Sequence, residues 1–363
     1  MSLRAILFLA VLSIGFANSS TAQIINTIDT TGAEGQYPYV LPIWAQKAYD
    51  RGYGDQLQLP FGANLNYVNA FIGMNIVDFE LLVGDQDLSG IINTETLNFQ
   101  EVSATTNGAN FRLDAWILPF INVYGMYSQV TGGTNVTLQP TWRDELGEII
   151  LQLPQFSSEV EFDAKAYGFG TTMVFGFDGY FLNTDVNYSA TQTELLKEDV
   201  GYLALSARAG YRFMLSKKRT DRSLALYGGM MYRNFVGAKG SSGSINFDEI
   251  FPGMDESFNG RVDTKVAENE AHIADLNPIT DRLEIIRLEA QNTALRTIQH
   301  RVNDSGVFTT EINYFIEKQM IQSVTFQFGF NFQINKHWML RGEYGIAESQ
   351  RFLMTGLQYR FGF

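Results

Sequence analysis

The chain has 363 residues, and its 39 acidic and 26 basic side chains give a formal net charge of −13 at pH 7. This acidic balance argues against nucleic acid as a partner, because phosphate backbones are bound by clustered basic side chains. The absence of cysteine excludes a disulfide-stabilised scaffold. The 33 glycines, 17 tyrosines and 28 phenylalanines are typical of many strands with aromatic girdles, although a secreted β-sandwich would also fit.

The first 22 residues have the layout of a cleaved secretory signal. Arg4 supplies a short positive region, and residues 5–16 form an apolar run that is too short for a membrane-spanning helix. Small residues follow as far as Ala22. We expect residues 23–58 to form a periplasmic segment with one short amphipathic helix over residues 42–49.

Alternating side chains dominate residues 59–363. From Val324 to Ile334, six large apolar residues share one parity, and five small or polar residues share the other. The alternation recurs over residues 111–117, 167–177, 203–213 and 357–363. It predicts tilted membrane-spanning strands. A basic side chain at the bilayer midplane costs about 2–4 kcal/mol, so the polar parity must face a lumen.

Short joins alternate with longer, more polar joins, as in outer-membrane barrels. The predicted strands lie near residues 60–82, 94–117, 121–138, 157–177, 180–190, 200–215, 223–237, 320–334, 337–346 and 351–363. The fold class is therefore an all-β membrane protein, an antiparallel outer-membrane β-barrel of about ten strands, with eight or twelve still possible. An even count places both termini in the periplasm and the long join over 237–319 outside the cell.

The last predicted strand ends on alternating aromatic residues, Tyr359, Phe361 and Phe363. This ending resembles the insertion signal that the outer-membrane assembly machinery reads. We therefore expect that machinery as a partner during insertion, and outer-membrane lipid as the surrounding of the finished barrel.

Three stretches resemble a family of uncharacterised Gram-negative outer-membrane proteins. They are residues 59–62 (LPFG), residues 111–125 (FRLDAWILPFINVYG), and the close from His337-Trp338 to Tyr359-Arg360-Phe361. The resemblance covers the strands and barely touches residues 237–319. It implies a barrel of this general plan in the outer membrane and implies no particular activity.

Charged residues on the polar parity of the strands are expected to face the lumen. They are Arg112, Asp114, Asp185, Arg208, Arg212, Arg233, Arg341, Glu343 and Arg360. A barrel of about ten strands is narrow enough for side chains to fill, so these mixed charges predict a plug held by ion pairs. Because arginines outnumber acids, a narrow channel with an anion-selective constriction is the alternative.

One short motif raises the possibility of calcium. Asp85, Asp87 and Ser89 follow the opening of an EF-hand loop, with Gly90 at the sixth position. The acid that such a loop needs at position twelve is displaced, because Glu95 stands at position eleven. A polar hairpin tip explains the same residues, and no other cofactor is predicted.

Catalysis at the barrel rim would need a base, and histidine is the usual one near neutral pH. The chain has 3 histidines, His272, His300 and His337. None has a convincing serine or aspartate constellation beside it in the sequence. We therefore predict that the protein is not an enzyme, with an outer-membrane lipid or peptide hydrolase as the third hypothesis.

Residues 238–306 are predicted to form an extracellular insertion. A flexible Gly/Ser-rich linker over 237–244 precedes two helices, one from about Val262 and the other from about Asp281. The second helix carries an apolar stripe of Ile285, Leu288, Leu295, Ile298 and Val302. Such a stripe is covered by the sister helix or barrel rim, by a partner protein, or by folding inward as a plug. The main functional hypothesis is that this insertion binds a partner or surface ligand.

Overall fold

The computed structural model describes residues 36–54, 57–84, 86–144, 146–192, 199–216, 221–236 and 240–363. The predicted signal sequence and Asp85 of the predicted calcium loop lie outside these ranges. None of the helices within them is both long enough and apolar enough to cross a membrane.

Fifteen strands are present in the described ranges. They are β1 Phe61–Val83, β2 Gln86–Asp87, β3 Phe99–Leu118, β4 Ile121–Leu138, β5 Thr141–Arg143, β6 Ile149–Gln152, β7 Phe156–Phe177, β8 Tyr180–Gln192, β9 Val200–Met214, β10 Ser223–Val236, β11 Gly240–Ile245, β12 Ile312–Met320, β13 Val324–Gln333, β14 Trp338–Ile346 and β15 Gln350–Phe361.

Ten of these strands close into one antiparallel barrel, in the order β1, β3, β4, β7, β8, β9, β10, β13, β14 and β15. Each strand pairs with the next along this order, and β1 completes the ring by pairing with both β15 and β3. The predicted antiparallel barrel of ten strands is confirmed.

The two ends of the barrel differ. Strands meet in short turns at Leu118–Ile121 and Phe177–Tyr180, and Phe61 and Phe361 pair at the same end, which we call the terminal end. Helices and additional strands gather at the opposite end, which we call the loop end. The short joins predicted from the sequence therefore lie at the terminal end, and the long joins lie at the loop end.

The outer face of β7 marks the membrane. Tyr167, Phe169, Met173, Phe175 and Phe177 point outward and are exposed. The same face carries Ser157, Glu159, Glu161, Asp163 and Lys165 nearer the loop end. A run of about ten residues, rising roughly 3.3 Å each at a tilt of about 40°, gives an apolar band about 25 Å tall. Only hydrocarbon covers such a band without cost, so the barrel spans a membrane.

Two strands extend the sheet beyond that band. From Phe61 to Ile72, β1 pairs with β15, but from Met74 to Leu82 the same edge pairs with β12, which pairs in turn with β11. The strand predicted over 320–334 is present as β13, but its predicted start is wrong, because Met320 ends β12 and the chain changes neighbours between β12 and β13. The linker predicted over 237–244 is also wrong for residues 240–244, where backbone hydrogen bonds to β12 hold a sequence without an alternating pattern.

Helices occupy the connections. They are α1 Ala45–Ala48, followed by a π-helical turn over Tyr49–Tyr53, α2 Thr94–Leu97, α3 Phe247–Ile250, α4 Met254–Asp275 and α5 Arg282–Ser305. The predicted strand start at residue 94 is wrong, because the Asn93 side chain accepts hydrogen bonds from the Glu95 and Thr96 amides and caps a helical turn. The first long helix begins at Met254, before the predicted start at Val262.

An apolar core lies at the loop end, inside the extended sheet. Phe79 and Leu81 of β1 meet Phe258 and Val262 of α4 and Leu295 of α5, and each is 3% exposed or less. We call this cluster the loop-end core. The helical hairpin formed by α4 and α5 packs on the loop end through it.

Candidate functional site in the barrel lumen and at the loop end

The nine charged residues expected in the lumen lie on the inner face of their strands. Eight of them are 5% exposed or less, and Arg212 is half-buried. The eight are Arg112, Asp114, Asp185, Arg208, Arg233, Arg341, Glu343 and Arg360. Burial of so many charges requires partners, since an unpaired buried charge is costly.

Asp114 organises the charges near the terminal end. Its carboxylate lies 2.9 Å from Nη1 of Arg360, and Asn64 and Asn122 each donate a side-chain amide hydrogen bond to it, at 2.8 and 2.7 Å. Arg112 donates to Oδ1 of Asn122 at 2.8 Å. Residues of β1, β3, β4 and β15 are therefore tied together across the lumen.

Glu343 holds the middle of the lumen. Nη2 of Arg208 lies 3.1 Å from its carboxylate, and both side chains are inaccessible to solvent. Tyr227 donates its hydroxyl to Glu343 at 2.9 Å, and Gln327 donates its amide at 3.0 Å. Arg208 is on β9 and Glu343 on β14, with β10 and β13 between them, so this ion pair bridges the barrel interior.

Asp185 is held by uncharged donors. Tyr124 donates its hydroxyl at 2.8 Å, Thr172 at 2.6 Å and Asn187 its amide at 3.0 Å. Asp185 and Glu343 are the two acids in the middle of the lumen. Hydrogen bonds to their charged carboxylates are stronger than hydrogen bonds between neutral groups.

The lumen becomes apolar toward the loop end. Arg233 donates to the hydroxyl of Thr325 at 2.8 Å and to the side chain of Gln350. Beside it lies a buried cluster that includes Met126, Tyr202 and Met320. The loop-end core lies further in this direction and forms a separate apolar cluster.

Residues before β1 cover the terminal end. Leu57 and Leu59 are buried, and the Leu59 carbonyl accepts a hydrogen bond from Nε of Arg360 at 2.9 Å. Tyr37 packs with Leu57 and Ala45, and burial raises the pKa of its phenol well above the ordinary value. The predicted helix over 42–49 is shorter than expected, because only Ala45–Ala48 is α-helical before the π-helical turn.

Two lumen arginines stand apart from the ion pairs. The guanidinium carbon of Arg112 lies 3.5 Å from the ring centre of Tyr124, a cation–π contact. Its Nε and Nη1 atoms, and the same atoms of Arg341, are buried without a hydrogen-bond acceptor among the described residues. Sequence parity predicts that both side chains point inward, but it does not reveal which arginines are paired.

The predicted stripe on α5 is covered by the chain itself. Leu288, Leu295 and Val302 are buried, and Ile285 and Ile298 are half-buried. Leu295, Val302 and Ile298 belong to the loop-end core or pack against it. The stripe therefore offers little surface to a partner. It is covered by the sister helix and by the barrel rim.

A different apolar patch is exposed at the tip of the helical hairpin. Ile279, Leu283 and Ile286 are 87%, 84% and 51% exposed. Leu283 and Ile286 are one turn apart at the start of α5, and Ile279 lies in the turn before it. We call these three residues the hairpin tip. Their spacing is a signal that sequence reasoning missed, because the longer stripe overlaps it.

The calcium motif forms a turn. Oδ1 of Asp87 accepts a hydrogen bond from the Ser89 amide at 2.8 Å, and the hydrogen bonds from Ser89 lower the pKa of Asp87. Asp85 lies outside the described residues. Within the described part of the chain, no group of three or more histidine, aspartate or glutamate residues is placed to hold a metal ion.

Two of the histidines make local contacts. Nδ1 of His300 lies 3.1 Å from Oδ2 of Asp304 one turn along α5, and both side chains are exposed. Nδ1 of His337 lies 2.8 Å from the Arg360 carbonyl at the terminal end. An exposed pair within one helix is typical of a solvated surface.

Aromatic side chains ring the terminal end. Phe61 stacks on Phe361 at 5.9 Å between ring centres, Phe361 contacts Phe363 at 5.4 Å, and Trp338 contacts Tyr359 at 4.7 Å. Such girdles lie at membrane interfaces, where an apolar ring body meets water at one edge. The predicted assembly signal coincides with this girdle.

No protein-family model matches the sequence. A search of curated proteins also found no match. The resemblance of three stretches to an uncharacterised outer-membrane family therefore stays a prediction.

Solved structures overlap the fold loosely. The β domain of the Bordetella autotransporter BrkA covers 82% of this chain and 99% of its own, with 9% identity and a TM-score of 0.33. An outer membrane channel from Pseudomonas putida F1 covers 84% and 98%, with 8% identity and a TM-score of 0.28. The outer membrane protease OmpT from Escherichia coli covers 82% and 97%, with 9% identity and a TM-score of 0.31. The architecture of this chain is established by its own strand pairing.

Proposed function

We propose that this protein is a closed, non-catalytic β-barrel of a Gram-negative outer membrane, with both termini in the periplasm. Its barrel holds the helical hairpin at the cell surface, where the hairpin binds a protein partner. Closed barrels with an apolar band about 25 Å tall and aromatic girdles are the form taken by outer-membrane proteins.

The observation that carries the proposal is the bridged lumen. The Arg208–Glu343 ion pair reaches from β9 to β14, and the Asp114 cluster joins β1, β3, β4 and β15. A channel would need to break these buried ion pairs for each solute. Breaking one buried pair typically costs about 3–5 kcal/mol, which favours a static filling over a pore.

The loop end supports a binding role. Its helical hairpin is fixed by the loop-end core, and Arg287 of α5 forms an ion pair with Glu148 beside β6. The hairpin tip nevertheless leaves three large apolar side chains in solvent. Exposed apolar patches on an ordered scaffold are typical of protein-binding surfaces.

Planar bilayer recording tests the closed lumen. We expect no single-channel currents from the purified wild-type barrel. The alternative is a narrow channel for small anionic solutes, favoured by the excess of arginines in the lumen. Steady wild-type currents whose anion selectivity falls in Arg208→Ala would establish the channel and overturn the closed barrel.

Site-specific photo-crosslinking tests the binding surface. A photoreactive residue at Leu283 is expected to crosslink a discrete protein in intact cells, whereas the same residue at the exposed Thr297 of α5 is the matched control. The variant Leu283→Glu/Ile286→Glu should lose partner capture while retaining membrane insertion. Equal crosslinking at both positions would reject the hairpin tip as the interface.

Hydrolysis of lipid or peptide substrates is the third hypothesis, and it rests on the histidines of the insertion. The exposed pair of His300 and Asp304 provides no adjacent nucleophile among its hydrogen bonds. An activity that disappears in His300→Ala or His272→Ala would replace the non-catalytic proposal.

A further inference from the structure

Among the fully buried side chains in the part of the lumen nearer the terminal end, positive charges outnumber negative charges by one, and the half-buried Arg212 lies apart from them beside the turn at Gly179. Four guanidinium groups, those of Arg112, Arg208, Arg341 and Arg360, face the three carboxylates of Asp114, Asp185 and Glu343. Two arginines are in ion pairs, Arg208 with Glu343 and Arg360 with Asp114. Asp185 is held by the uncharged donors of Tyr124, Thr172 and Asn187.

The excess lies at Arg112 and Arg341. Both side chains are 3% exposed or less, and Nε and Nη1 of each donate to no acceptor in the described part of the chain. Arginine stays protonated in proteins, so neither group can escape the cost of burial by losing its proton. Each therefore presents a buried charge and unused donors.

The strand register places these two arginines at a similar level of the lumen, on strands β3 and β14 with β1 and β15 between them. Arg341 of β14 lies opposite Gly356, which lies opposite Asn66 of β1, and Asn66 lies opposite Asn110 of β3. Arg112 is two residues from Asn110 on the same face of β3. The guanidinium of Arg341 is repelled by that of Arg112 and attracted by the carboxylates of Glu343 and Asp114.

The missing side chain at Gly356 shapes this region. A Cβ atom there would lie 3.2 Å from Cγ of Arg341 and would collide with Oδ1 of Asn66. The side chains of Arg341 and Asn66 therefore lean over the glycine. Oδ1 of Asn66 is an acceptor that is buried without a donor, so the unused donors at this level of the lumen are those of the two arginines.

We propose that one small inorganic monoanion binds in the lumen between Arg112 and Arg341. A single negative charge balances the four guanidinium groups against the three carboxylates, and it accepts the unused guanidinium hydrogens. Chloride is the probe for this chemical class. The site needs no conduction, because the anion is enclosed when the barrel folds.

Bromide substitution tests the site directly. The full chain is crystallised in bromide, and diffraction data are collected at the bromine absorption edge. We expect one anomalous peak within hydrogen-bond distance of the Arg341 guanidinium in the wild type and its loss in Arg341→Met. Ordered water alone at Arg341 in the wild type would overturn the proposal, whatever the variant does.

Arg351→Met is the matched control. Arg351 lies on the outer face of β15, with its guanidinium carbon 5.0 Å from the ring centre of Phe71, so this variant loses the same charge outside the lumen. The bromide peak should persist in it. Loss of the peak in both variants would assign the density to net charge and overturn the site.

Thermal unfolding in detergent gives a second readout. Sodium chloride is compared with sodium gluconate at equal ionic strength, because gluconate is a much larger anion than chloride. Chloride should raise the midpoint of the wild type and of Arg351→Met, and the rise should be absent in Arg341→Met and in Arg112→Met. Equal midpoints of the wild type in the two salts would contradict anion binding. The site rests on the closed lumen of the proposed function, but a negative result here leaves the bilayer recordings unaffected.

Discussion

Strand β1 contributes side chains to two different interiors, the polar lumen of the barrel and the apolar loop-end core. Near the terminal end its inward side chains are Asn64 and Asn66, which lie among the ion pairs of the lumen. Further along, the inward side chains become Ile72 and Met74, and then Phe79 and Leu81 in the loop-end core.

The outward face of β1 changes in the reverse sense. Leu65 and Tyr67 face lipid, whereas Asn75 and Glu80 are exposed beyond the membrane band. The environment outside the sheet explains this inversion. Where hydrocarbon surrounds the barrel, apolar side chains point out and the polar remainder is enclosed, and where water surrounds the sheet, the ordinary hydrophobic core returns.

The two interiors therefore fail in different ways. The lumen depends on the pairing of charges, so removal of one partner leaves the other charged and buried. The loop-end core depends on volume, so its variants lose packing and leave cavities.

The largest effect is expected from Glu343→Leu. This change leaves Arg208 buried without its carboxylate, beside the already unpaired Arg341, and should destabilise the barrel by about 3–5 kcal/mol. Urea unfolding in lipid vesicles measures it. The double variant Arg208→Met/Glu343→Leu should recover most of the loss, because Arg208 is no longer left buried without its carboxylate. A double variant as unstable as the single one would mean that packing, and not charge, dominates the lumen.

Leu295→Ala should cost about 2–5 kcal/mol, because Leu295 is fully buried in the loop-end core. The effect should be confined to the loop end. Hydrogen exchange is expected to rise in α4, α5 and β12 while the barrel strands stay protected. Uniform loss of protection in both regions would show that the lumen and the loop-end core unfold together as one unit.

The membrane boundary on β7 is tested by one substitution at each of two positions. Met173→Arg places a charge on the lipid face within the apolar band and should cost about 2–4 kcal/mol. Glu161→Arg changes the same outward face twelve residues away, beyond the band, and should cost close to nothing. Folding free energies in vesicles compare them. Similar costs at both positions would show that the edge of the apolar band does not lie between them.

The smallest effect is expected at the exposed pair of Asp263 and Arg296 on the helical hairpin. The hydrogen bond from Arg296 lowers the pKa of Asp263 below its ordinary value. The Asp263–Arg296 pair therefore stabilises the hairpin fully at a pH above the pKa that Asp263 has in the unfolded chain. This stabilisation is lost as the pH falls through the lower pKa of Asp263 in the folded protein. Circular dichroism should show slightly less helix at acidic pH, and Asp263→Asn should reduce this change. An unchanged acid response in Asp263→Asn would assign it to other carboxylates.

The barrel could be predicted because its signal is local. In strands such as β13, the large apolar residues Val324, Phe326 and Phe328 alternate with small or polar ones, so the sequence shows directly which face meets lipid. The inward direction of Arg208 and Glu343 follows from the same parity. Their pairing does not, because 135 residues separate them and only the closed ring brings them together.

The loop end could be predicted only in part for physical reasons. β11 consists of Gly240–Ile245, and backbone pairing with β12 holds it without any side-chain pattern. The periodic spacing of apolar residues predicts the stripe on α5. This spacing indicates that Leu295 is buried, but it does not indicate which surface buries it. Which surface covers it depends on contacts with distant residues such as Phe79 and Phe258.

The divided edge of β1 has a consequence for the order of assembly. Along this seam the first barrel strand meets the last one over Phe61–Ile72, and it meets β12, which follows the helical hairpin, over Met74–Leu82. The seam joins the parts of the barrel that are most distant along the chain, so it forms late. The upper half of the seam is completed by β12, the strand that follows the helical hairpin. The helical hairpin is therefore installed as part of barrel closure, and a barrel that lacks β12 would retain an open strand edge at its loop end.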